Sequence, residues 1–133
     1  MNIAIIGAGA LGSALAINYA TNKKKVNIWN RTAIDIKKLL DLNNSSDQKE
    51  PFLDFLNYCD IKKSIEEVVK EATIILICIK AQSVRLFLRK YSHFLSSKPV
   101  IFCSKGIDTG SLLLQTEIGE KFLKRKQLAV LTG

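Results

Sequence analysis

The fold class predicted from the sequence is an open, doubly wound α/β sheet, mainly parallel, with helices on both faces. Three observations predict it. Short apolar runs alternate with helix-spaced segments along the 133 residues. The runs are apolar throughout, as strands covered on both faces must be. The first run ends in a glycine-rich turn, Gly7-Ala8-Gly9-Ala10-Leu11-Gly12, that opens a helix-like segment. The length suits one domain, and 47% hydrophobic residues are enough for its core.

Each element follows from local chemistry. Asn2–Gly7 is an apolar run closed by glycine and reads as a strand. Leu11–Ala20 places Leu11, Leu15, Ile17 and Ala20 at helical spacing, with Ala14 and Ala16 allowing close packing. Asn22-Lys23-Lys24-Lys25 is a polar turn that closes this helix with positive charge. Val26–Trp29 is the second strand, and Ala33–Leu42, mixing apolar and basic residues, is a helix. Asn43 to Pro51 is a polar, turn-rich loop, and Phe52–Cys59 receives no assignment. Ser64-Ile65-Glu66-Glu67 has capping-box spacing and starts a short helix. Thr73–Ile79 is an uncharged, β-branched strand, followed by an amphipathic helix over Ser83–Tyr91. Pro99–Cys103 is a strand with proline at its start, where a missing N–H is tolerated. A helix over Leu112–Lys124 and a strand over Leu128–Leu131 complete the chain.

Composition narrows the function. No apolar run approaches the roughly 18 residues of a membrane span, so no membrane insertion is expected. The N-terminus lacks the basic start and cleavage site of a signal peptide. Cys59, Cys78 and Cys103 are odd in number and far apart; they read as buried thiols of a reducing compartment, with no disulfide or metal site, and the cytoplasm is the expected location. The net charge of +8 is compatible with nucleic acid, a membrane surface or phosphorylated ligands, and most simply reflects a solvated lysine-rich surface. The densest basic run, Lys121–Lys126, contains one aromatic residue and no nucleic-acid motif, so no nucleic-acid partner is expected.

The glycine-rich turn carries the strongest signal. Gly7 permits the tight turn, Gly9 lets the backbone approach a pyrophosphate, and Gly12 lets the helix pack on the strand. Free N–H groups and the dipole at the helix start then hold the anion. This is the fingerprint of a Rossmann-type dinucleotide site. At the end of the second strand, NAD-specific sites usually carry an acidic residue for the ribose hydroxyls. This chain has Asn30 and Arg31. Arg31 can pair with a 2′-phosphate or stack on adenine, so NADP(H) is favoured, with NAD(H) the alternative. Lys105, at the end of the Val100–Cys103 run, points a cation at the carboxyl edge of the sheet, where ligands of such folds bind.

With these residues in place, the chain resembles the N-terminal domain of bacterial NAD(P)-dependent glycerol-3-phosphate dehydrogenase. The matching segments are Gly7–Ala16, Val26–Arg31, Thr73–Arg85, Val100–Ile107 and Leu128–Gly133. The resemblance implies hydride transfer between NAD(P)H and dihydroxyacetone phosphate, giving sn-glycerol 3-phosphate for phospholipid synthesis. It implies nucleotide contacts at Ala10, Leu11, Arg31 and Lys105, and substrate contacts at Lys105 and Gly133. It also implies that residues 1–133 are the NAD(P)-binding half of a longer protein. The catalytic lysine would then lie in a helical domain outside these residues, no catalytic residue within them, and this chain alone would be inactive. A homodimer is a state open to the full-length protein.

Two departures qualify the match. Ala10-Leu11 replaces a hydroxyl-aromatic pair common in the family, and Ile79-Lys80 replaces Val-Pro. Lys80 resembles a phosphate-touching lysine of ketopantoate reductase, which is the rival oxidoreductase reading. A non-enzymatic nucleotide-sensing module is the rival outside enzymes, although such modules generally carry the acidic residue that Arg31 replaces.

The other conspicuous residues are expected to be structural. His93 has no ligating neighbours in sequence, Trp29 packs beside its strand, Glu66-Glu67 starts a helix, and Ser13 lacks any nucleophile pattern.

Overall fold

The computed structural model describes residues 1–41 and 50–132. Its strands are β1 (Asn2–Ile6), β2 (Lys25–Trp29), β3 (Cys59–Ile61), β4 (Ile74–Ile77), β5 (Val100–Phe102) and β6 (Leu128–Val130). Its helices are α1 (Ala10–Thr21), α2 (Ile36–Asp41), α3 (Glu50–Tyr58), α4 (Ile65–Val69), α5 (Ala81–Tyr91) and α6 (Gln115–Gly119). The strands form one sheet in the order β3-β2-β1-β4-β5-β6. Every neighbouring pair is parallel.

Alternate residues of each strand feed two cores, as the twofold strand repeat requires. Ala4, Ile6, Ile75, Ile77, Val100 and Phe102 pack with α4, α5 and α6 on one face. Ile3, Ile5, Val26, Ile28 and Leu76 pack with α1 and α3 on the other. Each fully buried aliphatic side chain contributes about 1.5–3 kcal/mol, and this two-sided burial is what makes the strands apolar throughout.

α1 differs from its expected packing. Its buried residues are Gly12, Ser13, Ala16 and Ala20, while Leu15 and Ile17 are half-buried and Leu11 and Ala14 are exposed. The stripe at intervals of four is small because the helix lies close against β1, leaving the large side chains to its flanks. The helix closes at Asn22 with Lys23 in a left-handed conformation (φ 56°). The Lys23 N–H donates to Ala20 O (2.8 Å) and the Lys24 N–H to Tyr19 O (2.9 Å), the paired bonds of a Schellman closure. Backbone geometry ends this helix; its last turn carries no basic residue.

Other boundaries also moved. α2 begins at Ile36, not Ala33, because the Asp35 carboxylate accepts the Lys38 N–H (3.1 Å) and so caps the helix there. Of the expected loop 43–51, residues 42–49 lie outside the described residues, and Glu50 and Pro51 belong to α3, which tolerates proline in its first turn. The unassigned Phe52–Cys59 segment is the rest of α3 and the first residue of β3. Ser64 caps α4 by accepting the Glu67 N–H (3.1 Å), and Glu67 reaches back to the Lys63 N–H (3.1 Å).

The helix expected over Leu112–Lys124 is only α6. Leu112 holds φ 61°, and the Asp108 N–H donates to Leu113 O (2.9 Å), so this stretch is a turn. After Gly119 the chain passes through turns into a short 3-10 helix over Arg125–Gln127.

Candidate nucleotide site

The strand order reverses between β1 and β4: the chain builds outward from β1 to β3, then returns to β4 on the other side of β1. The carboxyl ends of β1 and β4 therefore diverge into a crevice, where open α/β sheets bind their ligands. The glycine-rich turn sits at this point. Gly7 continues strand pairing, donating to Trp29 O (2.8 Å), and then turns with φ 106°. A Cβ on Gly7 would lie 2.7 Å from Cys78 O, and one on Gly12 would lie 1.9 Å from Gly7 O. Both glycines are demanded by the protein's own backbone.

Gly9 is different. It caps α1 in an extended conformation (φ −72°, ψ −170°), and no atom beyond its chain neighbours lies within 4 Å of where its Cβ would stand. The fold does not need glycine there, whereas a pyrophosphate pressed against the backbone does. The first intrahelical bond runs from the Ser13 N–H to Gly9 O (2.9 Å), so the N–H groups of Ala10, Leu11 and Gly12 precede the helical ladder. No acidic residue sits in that first turn. These donors and the positive end of a 12-residue helix fit a dinucleotide's pyrophosphate.

Asn30 holds the turn in shape. Its Oδ1 accepts the Ala8 N–H (3.0 Å), and its Nδ2 donates to Thr32 O (3.2 Å) and Thr32 Oγ1 (3.0 Å). These bonds occupy the side chain, so Asn30 acts here as a strut between the ends of β1 and β2. Ser13 is buried and spends its hydroxyl on Ala8 O (3.0 Å), a structural role as expected.

The crevice encloses about 600 Å³, in the range of small-molecule sites. Gly7, Gly9, Asn30, Arg31 and Lys80 line it, bringing together five residues singled out from sequence. Lys80 is the N-cap of α5. The opposite wall was not anticipated. It is a stripe of α5, Ser83, Leu86, Phe87 and Lys90, with Tyr91 beside it. The spacing of three, four and seven residues was available in the sequence, but nothing there showed that this face meets a cleft and not solvent. Leu86, 65% exposed, supplies an apolar surface in the crevice. Trp29 packs against the core, its ring 6.2 Å from that of Tyr91, and also lines the crevice.

Lys105 lies elsewhere on the same edge. It follows β5, is exposed, and is not among the residues lining the crevice. Ala10 and Leu11 form the first turn of α1 and likewise present no side chain to its lining. Gly133 lies outside the described residues. The loop carrying Lys105 is fastened by side chains. Ser104 donates to Ile79 O, Gln82 Nε2 donates to Ile107 O (2.8 Å), and Gln115 Nε2 donates to Gly106 O (3.2 Å). Arg85 Nη2 stands 2.7 Å from Asp108 Oδ2, which also accepts the Ser111 hydroxyl (2.6 Å) and N–H (3.0 Å). The Ser111 hydrogen bonds, with the Arg85 charge, hold the Asp108 carboxyl below its ordinary range.

Cys59 and Cys103 are buried as expected, whereas Cys78 is half-buried and lines the crevice. Burial, with Asp60 alongside, pushes Cys59 up to about 12. The neighbouring Cys103 thiol and burial push Cys78 up, while Cys78 lowers Cys103, whose Sγ–H donates to Ile101 O (3.8 Å). His93 sits in a 3-10 turn with its ring 4.0 Å from Phe94. Among the described residues, no group of three His, Cys, Asp or Glu is placed to hold a metal, and no helix is long and apolar enough to cross a membrane.

The sheet order, the crossed-back β4 and the glycine-rich turn at the reversal define a dinucleotide-binding domain of Rossmann type. The likeness extends to solved structures. The glycerol-3-phosphate dehydrogenase of Coxiella burnetii superposes with a TM-score of 0.74 at 20% identity, over 99% of this chain and 40% of that one. The dehydrogenase part of multifunctional enzyme 1 from C. elegans gives 0.78 at 13% identity, over 98% and 31%.

Sequence supplies the particular family. The chain belongs to the family described as NAD-dependent glycerol-3-phosphate dehydrogenase N-terminus, whose model matches residues 2–133. It is 33% identical to the glycosomal glycerol-3-phosphate dehydrogenase [NAD(+)] of Trypanosoma brucei brucei, over 98% of this chain and 38% of the relative. It is 28% identical to the glycerol-3-phosphate dehydrogenase [NAD(P)+] of Ehrlichia chaffeensis, over 100% and 42%. The chain thus spans about two fifths of the length of these curated relatives.

Proposed function

We propose that the chain is the cofactor-binding domain of a glycerol-3-phosphate dehydrogenase, and that it binds NADP(H) in preference to NAD(H). Family membership over residues 2–133 favours this reading over ketopantoate reductase and over a nucleotide-sensing module. The observation that carries the nucleotide is Gly9, a glycine the fold does not require, set at a helix start with free N–H groups. When bound, the nicotinamide supplies the hydride that reduces dihydroxyacetone phosphate to sn-glycerol 3-phosphate.

The residues around it bind and orient. The first-turn N–H groups of α1 hold the pyrophosphate, and Asn30 fixes the turn that presents them. Arg31 reads the 2′-phosphate, and Lys80 neutralises charge on the other side of the crevice. Lys105 and Gly133 are assigned to the substrate, with Lys105 also reaching the cofactor. A general acid must lie within hydrogen-bond reach of the ketone oxygen, and that role is assigned to a lysine of a second domain outside residues 1–133. The domain alone should therefore bind nucleotide without turning it over.

Titration with NADPH and NADH tests the cofactor. Arg31→Ala should weaken NADPH binding about tenfold, the effect of one charge-assisted hydrogen bond, and barely change NADH. Equal losses for both would remove the NADP assignment. Enzyme-dependent oxidation of NADPH by this chain with dihydroxyacetone phosphate would overturn the division of labour between domains.

A further inference from the structure

The crevice has a lopsided charge. Arg31, Lys80 and Lys90 line it, and among its described lining residues none is acidic. None of the three cations joins an ion pair among the described residues, although four other Lys or Arg side chains do. Three cations around one cleft, with no ion pair among the described residues, repel one another, so their arrangement calls for an anion.

Two of them have work already. Lys80, at the N-terminus of α5, accompanies the pyrophosphate, and Arg31 follows β2. Lys90 is left over, seven residues and about two turns beyond Ser83 on the cleft-facing stripe of α5. Its position is set by aromatic contacts. Lys90 Nζ lies 5.0 Å from the centroid of the Tyr91 ring, which in turn meets Trp29 edge-on at the end of β2. The face of an aromatic ring attracts a cation, so the Tyr91 ring biases where the Lys90 ammonium rests. Trp29 is two residues before Arg31. The aromatic pair therefore links the strand end that carries Arg31 to the helix end that carries Lys90.

We infer that Lys90 is a second specificity-determining residue, approaching the 2′-phosphate of the nucleotide from the α5 side while Arg31 holds it from the β2 side. The inference rests on the NADP(H) reading above. The charge count supports it. A pyrophosphate carries two negative charges, and a phosphate monoester adds about −1.5 to −2 at neutral pH. NADP(H) thus matches three cations and a helix N-terminus, whereas NAD(H) leaves a cation unneutralised. Lys90 meets a solvent-exposed partner, so its expected share is smaller than that of Arg31.

The test uses Trp29, the single tryptophan of the chain, as a fluorescence reporter in the crevice. NADPH, NADH and 2′,5′-ADP are titrated into the unaltered chain and into Lys90→Gln and Lys90→Arg, with thermal melting to check the fold. Lys90→Gln should weaken NADPH and 2′,5′-ADP about fivefold, leave NADH unchanged, and flatten the salt dependence of NADPH binding. Lys90→Arg should restore most of the loss. If the unaltered chain prefers NADPH and Lys90→Gln keeps that preference undiminished, the Lys90 role is wrong and the cofactor reading stands. If Lys90→Gln weakens NADPH and NADH equally, Lys90 serves the part common to both and the role is likewise wrong. If the unaltered chain binds both nucleotides equally, the NADP(H) reading fails and takes this inference with it.

Discussion

The ends of β1 and β5 solve one problem with opposite materials. Both must turn the chain sharply at the carboxyl edge of the sheet. At the end of β1 the work falls to missing side chains: Gly7 and Gly12 sit where a Cβ would strike backbone atoms. At the end of β5 the glycine is uncrowded. Gly106 has φ 96° but no atom within 4 Å of its absent Cβ, and the loop is fastened by Gln82, Arg85, Ser104, Asp108, Ser111 and Gln115. A turn made of backbone contacts tolerates almost no change; a turn made of a side-chain network loses its parts one at a time.

Substitutions along the two turns can break this contrast. The largest effect belongs to Gly12→Ala. Its Cβ would lie 1.9 Å from Gly7 O, so α1 must lift from the sheet, and the cost should exceed the roughly 1–3 kcal/mol of ordinary overpacking. Urea unfolding checks this, and a variant as stable as the parent would show that the turn yields. Gly9→Ala comes next and acts on binding alone. Its melting temperature should match the parent, while NADPH affinity falls by at least about tenfold as the added methyl meets the pyrophosphate. A fall in melting temperature with intact binding would mean that Gly9 serves the fold after all. Gly106→Ala should cost only the backbone strain of positive φ, about 1–2 kcal/mol, and Gly7→Ala visibly more because it adds a clash to the same strain.

The smallest change is reached by acid. The folded Asp108 carboxyl titrates below its unfolded value, so its contribution is complete above about pH 4 and is lost as the pH falls through the lower folded value. Asp108→Asn should remove that part of the acid dependence, as followed by thermal melting between neutral and low pH, and should leave Gly12-dependent packing untouched. An unchanged acid profile would detach Asp108 from the stability of the Lys105 loop.

The same contrast explains what could be read from the sequence. The β1 turn was legible because its requirements are local: three glycines at fixed spacing between an apolar run and a helix admit few other meanings. The apolar strands were legible for a similar reason, except β3, Cys59–Ile61, where the charged Asp60 breaks the apolar run. The stretch from Leu112 to Lys124 misled because its apolar spacing suits a helix, while the bond between Asp108 and Leu113 and the left-handed Leu112 impose a turn. Lys90 and the α5 wall were hidden because a helix face acquires its role only when the sheet order places it opposite Arg31. Asn30 is singled out by sequence as a ligand contact; that its bonds to Ala8 and Thr32 also make it a strut is visible only once β1 and β2 are side by side.

The central place of β1 also bears on how the molecule is made. β1 pairs with β2 starting at Asn2 and Lys25, but its other edge waits for Ile74. Closing the longer loop costs about 1 kcal/mol more in chain entropy. A nascent chain emerging from the ribosome can thus complete its first βαβ unit while one flank of β1 is still bare. During that interval a strand that is apolar from Ile3 to Ile6 offers unpaired N–H and C=O groups to any neighbour, as exposed sheet edges do. Pulse-labelled hydrogen exchange during refolding should accordingly protect β2 amides before those of β4, and the lag between them measures how long the growing chain is open to mispairing or to a chaperone.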